Sequence, residues 1–141
     1  MSINDIQDKT INDFSLFDEW DEKYAYIIEL GKKLAPLSEE YRKEEYKIKG
    51  CQSQVWLHSY LKDGKVFFEA DSDAIIVKGL VSLLIKILSG HKPEEIANAD
   101  LYLMEKIGMK QHLSPTRSNG LASMVKQMKL YAIAFNTKLT S

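Results

Sequence analysis

Two runs of alternating apolar and polar residues, Gln54 to Leu61 and Val66 to Ala70, flank the dipeptide Asp63-Gly64. No other feature of the chain restricts its fold as tightly. Asp-Gly is a preferred pair for the two-residue type I′ turn, whose central residues both take positive φ. Period-two runs on either side of it read as the antiparallel strands of a hairpin. The loop length sets the register: Leu61 faces Val66, Ser59 faces Phe68 and Leu57 faces Ala70 on the side suited to a core. The other side pairs Tyr60 with Phe67 and His58 with Glu69.

The segments around this hairpin predict helices and one more strand. Before it, Tyr46 and Ile48 alternate with Lys47 and Lys49, which reads as a short half-exposed third strand. From Leu16 the spacing is helical, with Leu16, Trp20, Ile27, Ile28 and Leu34 able to share one face until Pro36 ends the run. Asp18, Glu19, Asp21 and Glu22 weight its N-terminal end, where acidic groups suit the helix dipole. Residues 1–14 read as a loose N-terminal arm with room for a short helix.

After the hairpin, Ser72 or Asp73 is placed to cap a largely buried helix running to about Leu88, with Gly90 as its C′ residue. Short helices follow near Glu94 to Asn98, opened by Pro93, and near Leu101 to Ile107, ended by Gly108. A last helix opens at Ser114-Pro115, with Leu121, Met124, Val125, Met128, Ala132 and Phe135 as its apolar stripe. The expectation is an α+β fold: a small antiparallel three-stranded sheet with helices packed on it.

Length and charge narrow the function. The 141 residues suit a single domain spanning 1–141 with a real core. The formal net charge is −1 and there is no basic stripe, so a nucleic-acid partner is not expected. The polar first ten residues lack an apolar signal core, and no stretch approaches the roughly 18 apolar residues of a membrane span. A cytoplasmic protein with no membrane association is the expectation. His58, His91 and His112 are scattered singly rather than paired at ligand spacing, so no metal is expected, and His58 is matched with Glu69 across the hairpin.

Cys51 is the chain's single cysteine, which excludes an intramolecular disulfide and any site built from several of its own thiolates. It lies in Ile48-Lys49-Gly50-Cys51-Gln52-Ser53-Gln54, between one expected strand and the next. Free cysteines commonly serve as small core hydrophobes. A polar connection next to a glycine is also where a reactive thiol would be presented from a rigid scaffold. The residues alone leave both readings open.

The run Gly50-Cys51-Gln52-Ser53-Gln54-Val55-Trp56-Leu57 resembles the signature of the SufE sulfur-acceptor family. Asp71-Ser72-Asp73-Ala74-Ile75-Ile76-Val77-Lys78-Gly79-Leu80 is similar to the start of that family's central helix. Leu113-Ser114-Pro115-Thr116-Arg117-Ser118-Asn119-Gly120-Leu121 is similar to the start of its C-terminal helix. Many relatives place a proline where this chain has Lys49. The resemblance implies a SufE/IscU-like α+β domain that acts as sulfur acceptor and activator of a cysteine desulfurase (SufS- or CsdA-like). Cys51 would carry a persulfide and pass it to an iron–sulfur scaffold such as a SufBCD-type complex.

No cofactor is implied for this chain; pyridoxal phosphate belongs to the partner desulfurase. The resemblance makes Cys51 the nucleophile, with Gly50, Gln52, Asp73 and Arg117 as supporting residues. Asp73 also fits a helix cap, Arg117 a surface ion pair, and Gly120 a place where another element comes close. The chain reads as a carrier rather than a turnover enzyme by itself, as a monomer or homodimer. A cysteine-dependent hydrolase or peroxidase is the alternative.

Overall fold

The computed structural model describes residues 1–51 and 53–140. The hairpin forms as its turn chemistry requires. Strands β1 (Val55–Lys62) and β2 (Lys65–Ser72) pair antiparallel, with Leu61 opposite Val66, Ser59 opposite Phe68 and Leu57 opposite Ala70. Asp63 and Gly64 take φ of 54° and 77°, the positive pair of a type I′ turn. Leu57, Val66, Phe68 and Ala70 are buried, so the apolar side faces the core.

Among the described residues the sheet has two strands rather than three. Glu44–Tyr46, where the third strand was expected to begin, is a 3₁₀ turn, as is Glu39–Tyr41. Among the described residues, the pairing of this segment with β1 is a bridge from Lys47 to Trp56 and the Ile48 N–H donated to the Val55 carbonyl at 2.8 Å. Gly50, at φ 91°, then turns the chain in a conformation that side-chain-bearing residues rarely adopt, so the ladder cannot extend. Residues 39–48 instead lie over the outer face of the hairpin. Tyr41 stacks on His58 with ring centroids 3.6 Å apart, and His58 Nδ1 meets Glu69 Oε1 at 2.9 Å, as the cross-strand pairing predicted.

Residues 1–14, read as an arm with room for a short helix, form helix α1 (Ile3–Phe14). Ser2 and Asp5 form a reciprocal capping box, which satisfies two of the orphan donors at its start. Ile3 and Phe14 enter the core, and Gln7 is fully buried, with its amide donating to the Asp100 carbonyl and accepting from the Leu103 N–H. Those partners lie more than ninety residues away, which is why local reading could not dock the helix.

Helix α2 (Trp20–Lys32) packs along α3 (Ile75–Leu88), the apolar centre of the fold. Leu80, Leu83, Leu84, Ile87 and Leu88 are almost wholly buried, each worth roughly 1.5–3 kcal/mol relative to exposure. The two helices approach so closely because Gly79 has no side chain: a Cβ there would lie 2.3 Å from the Ile27 carbonyl oxygen. Leu16, expected on the α2 face, is exposed on the connection before it.

The short helices α4 (Pro93–Ala97) and α5 (Leu103–Lys106) match the segments opened by Pro93 and ended by Gly108; α6 (Met109–His112) was not anticipated. Helix α7 (Pro115–Thr140) closes the molecule, with Met124, Met128 and Ala132 buried in its stripe. Among the described residues, no helix is long and apolar enough to cross a membrane.

Candidate functional site

Cys51 sits where the bridge to β1 has ended and β1 has not yet begun, on a loop held between α7 and the start of α3. The loop approaches α7 at two points that only small residues permit. A Cβ on Gly120 would stand 3.3 Å from Cys51 Sγ, and one on Gly50 would stand 2.7 Å from Ser123 Oγ. The close approach expected at Gly120 is therefore made by Cys51 itself. Its thiol donates to the Gly120 carbonyl at 3.4 Å.

The other side of the loop is clasped by Asp73. Its carboxylate accepts the Gln54 N–H at 3.0 Å, and its own N–H donates to the Gln54 carbonyl at 3.2 Å. Asp73 is therefore not a helix cap. Ala74 occupies the N-cap position of α3, and Ser72 Oγ accepts the Ala74 N–H. The pairing with Gln54 continues the hairpin by one step and fixes the loop's exit.

Cys51 lines one wall of a cleft of about 340 Å³. Val55, Val77, Leu80, Val81, Leu121 and Met124 make its apolar surface; Ser53, Ser114, Thr116 and Arg117 supply polar groups. Arg117 lies in the first turn of α7, its N–H capped by Ser114 Oγ at 3.2 Å. Its side chain is exposed, and among the described residues no carboxylate pairs with it, so the surface ion pair considered for it does not form. Cys51 and Arg117, 66 positions apart in sequence, are thus brought to one cleft, with Gly50 and Asp73 holding the loop. Gln52 lies outside the described residues.

Burial pushes the Cys51 thiol up from its ordinary value. The cause is loss of solvation for the charged form. Lys49, the nearest cation in sequence, is exposed. The resting state is a protonated, half-shielded cysteine.

Sequence reading missed a second cluster, centred on Asp71. Asp71 is buried and pairs with Arg42 and, at 3.2 Å, with Lys78. Arg42 lies over the Trp56 ring, 5.4 Å from its centroid. This network ties the 39–48 segment, β1, β2 and α3 together. Its signal in the sequence was a lone Asp71 on the outer face of β2, with its partners 29 residues before and 7 after. Among the described residues, no group of three or more His, Cys, Asp or Glu is arranged to hold a metal.

Residues 8–132 match the family model described as "SufE: Fe-S metabolism associated domain". The chain belongs to the SufE family. Two curated SufE-like proteins agree with that. One, from Rhizobium meliloti (strain 1021), is 45% identical over 127 residues, covering 86% of this chain and 91% of the relative. The other, from Rhizobium etli (strain ATCC 51251 / DSM 11541 / JCM 21823 / NBRC 15573 / CFN 42), is 46% identical over 127 residues, covering 86% of each. Both are described as uncharacterized. The fold is shared with a hypothetical protein from Thermus thermophilus whose solution structure is known: TM-score 0.77, 20% identity, 96% of this chain and 97% of that one. The SufE assignment connects the chain with iron–sulfur metabolism and sulfur transfer.

Proposed function

We propose that this SufE-family protein accepts a sulfane sulfur on Cys51 from the persulfide of a cysteine desulfurase, and so activates that enzyme. The Cys51 thiolate attacks the outer sulfur of the donor persulfide. The donor's S–S bond breaks, its own cysteine leaves as thiolate, and Cys51 becomes the persulfide. Emptying the donor frees it for another cycle. Pyridoxal phosphate does its work in the partner, which is SufS- or CsdA-like, and the sulfur passes on to a scaffold of the SufBCD type. Reaction and delivery take place in the cytoplasm.

One observation carries this reading: the chain's single cysteine stands half-buried at the wall of a cleft, in contact with a helix glycine. With no second thiol in the chain, a persulfide on Cys51 has no internal partner that would expel sulfide and close a disulfide. Val55, Val77, Leu80 and Val81 give the cleft an apolar wall on the side of the thiol. The raised resting pKa suits a carrier that reacts only once a partner draws the loop from Gly120. Gly50 provides the turn about which the loop would move, Asp73 holds its exit, and Arg117 flanks the sulfur path.

The hydrolase alternative receives no support. The cleft's lining, among the described residues, includes neither a histidine nor a carboxylate to act as general base beside the thiol.

Sulfide release by a partner desulfurase, with free cysteine and a reductant, tests the proposal. Wild-type protein should raise turnover and Cys51→Ala should not. Full stimulation by Cys51→Ala would mean that the cysteine is inert and the protein is purely an interaction module.

A further inference from the structure

The cleft beside Cys51 is larger than a sulfur carrier needs. On the same measure of cavity volume a single water-sized group needs about 10–15 Å³, whereas the cleft offers about 340 Å³. Small-molecule pockets start at about 300 Å³ and are apolar with a few placed polar groups. This cleft fits that description. Val77 and Leu121 belong to its apolar wall, Ser114 and Thr116 bring hydroxyls, and Arg117 brings a cation with no carboxylate partner among the described residues. A cation of this kind on a cleft that also holds the reacting sulfur is suited to an anionic ligand, since a guanidinium matches a carboxylate in two-point geometry.

We propose that the cleft binds a small thiol carrying a carboxylate, its carboxylate on Arg117 and its sulfur against Cys51, and that this thiol collects the sulfane sulfur. The inference rests on the persulfide reading above and adds a class of acceptor to it. The thiolate of the bound acceptor attacks the outer sulfur of the Cys51 persulfide. The S–S bond breaks, Cys51 departs as thiolate and takes up the proton the acceptor lost, and the acceptor leaves as a persulfide. One sulfane sulfur moves, and no oxidant or reductant is consumed. The half-buried Cys51 is a reluctant leaving group, so thiols that are not anchored transfer slowly. Anchoring on Arg117 supplies the selectivity.

The test uses full-length protein persulfidated with inorganic polysulfide and checked by intact mass. Loss of the sulfane sulfur is followed in single turnover with 3-mercaptopropionate and with its neutral amide, 3-mercaptopropionamide, with rates compared per thiolate. The acid should saturate and, below saturation, be faster by about tenfold, the worth of one charge-assisted contact. That preference should vanish in Arg117→Gln and return in part in Arg117→Lys. Equal rates for acid and amide, or a preference that survives Arg117→Gln, overturns the proposal.

A second arm needs no persulfide. Cys51→Ser protein is titrated with 3-(methylthio)propionate while its backbone amides are followed by NMR. Saturable shifts at Arg117 and Gly120, absent in Cys51→Ser/Arg117→Gln, are expected, and no saturable shift contradicts the site. A protein that holds no persulfide at all would sink the acceptor reading, while this arm would still decide the binding site.

Discussion

Asp73 and Gln54 clasp each other twice: the Asp73 carboxylate accepts the Gln54 N–H at 3.0 Å, and the Asp73 N–H donates to the Gln54 carbonyl at 3.2 Å. Asp73→Ala keeps the second bond and removes the first, loosening the Cys51 loop at its exit. The stability cost should be about 0.5–1.5 kcal/mol, read by denaturant unfolding. Alkylation of Cys51 by iodoacetamide should quicken, while Asp73→Asn, which retains an acceptor, should stay near wild type. An unchanged alkylation rate in Asp73→Ala would show that the clasp does not restrain the loop.

Gly120 decides how deeply Cys51 sits. Gly120→Ala places a Cβ 3.3 Å from Sγ and pushes the thiol outward. Alanine also favours the α7 helix by about 1 kcal/mol, so the melting temperature should hold or rise slightly. Meanwhile the alkylation profile of Cys51 should move to lower pH, towards that of a free thiol. A variant with unaltered Cys51 titration would mean that the helix contact is not what shields it.

The pH dependence of stability has a definite sign. Burial raises the Cys51 pKa in the folded protein above its ordinary value of 9.0. The folded state therefore holds the thiol proton longer than the unfolded chain does. Any contribution to stability is complete below the unfolded pKa and is lost as pH rises towards the folded one. Wild type should lose stability relative to Cys51→Ser above about pH 8.5–9 and run parallel to it near neutrality. Parallel curves through the alkaline range would contradict a buried thiol.

Much of the architecture follows from chemistry that is local in the sequence. Asp63-Gly64 specifies its turn and hence every cross-strand pair, down to His58 with Glu69. Pro93, Ser114-Pro115 and the apolar stripe of α7 mark their helices for the same reason. What local reading misplaced depends on distant partners. The third strand lost to a 3₁₀ turn because Tyr41 stacks on His58 and the chain turns away at Gly50. Helix α1 docks through Gln7, whose partners are Asp100 and Leu103. Asp73 met the rule for a cap but is recruited by Gln54, 19 residues earlier in the chain. Within the site, Cys51 was legible from its motif, whereas its contact with Gly120 and the Arg42–Asp71–Lys78 network exist only in three dimensions.

That network carries its own prediction. Asp71→Ala leaves Arg42 and Lys78 facing each other without their shared carboxylate. Breaking a buried pair in this way costs about 3 kcal/mol. The partial exposure of both cations keeps the loss at or below that level, visible as a lower midpoint in urea. Asp71→Ala that unfolds like wild type would remove the network from any role in stability.

The glycine contact between α2 and α3 is equally exposed to test. Gly79→Ala drives a Cβ to 2.3 Å from the Ile27 carbonyl oxygen, so the helices must separate. Overpacking of this kind costs about 1–3 kcal/mol, against the small gain from helix propensity. Thermal unfolding should show a clear drop, and a stabilised Gly79→Ala protein would contradict the tight crossing.

The central step of the proposed function is the transfer of sulfur from another protein's persulfide to Cys51. Intact-mass analysis after incubation with a cysteine desulfurase and free cysteine measures that step directly. The expected result is a gain of about 32 Da, one sulfur atom, mapped to Cys51 and absent from Cys51→Ser. An unmodified protein, recovered beside a desulfurase that still holds its own persulfide, would contradict it.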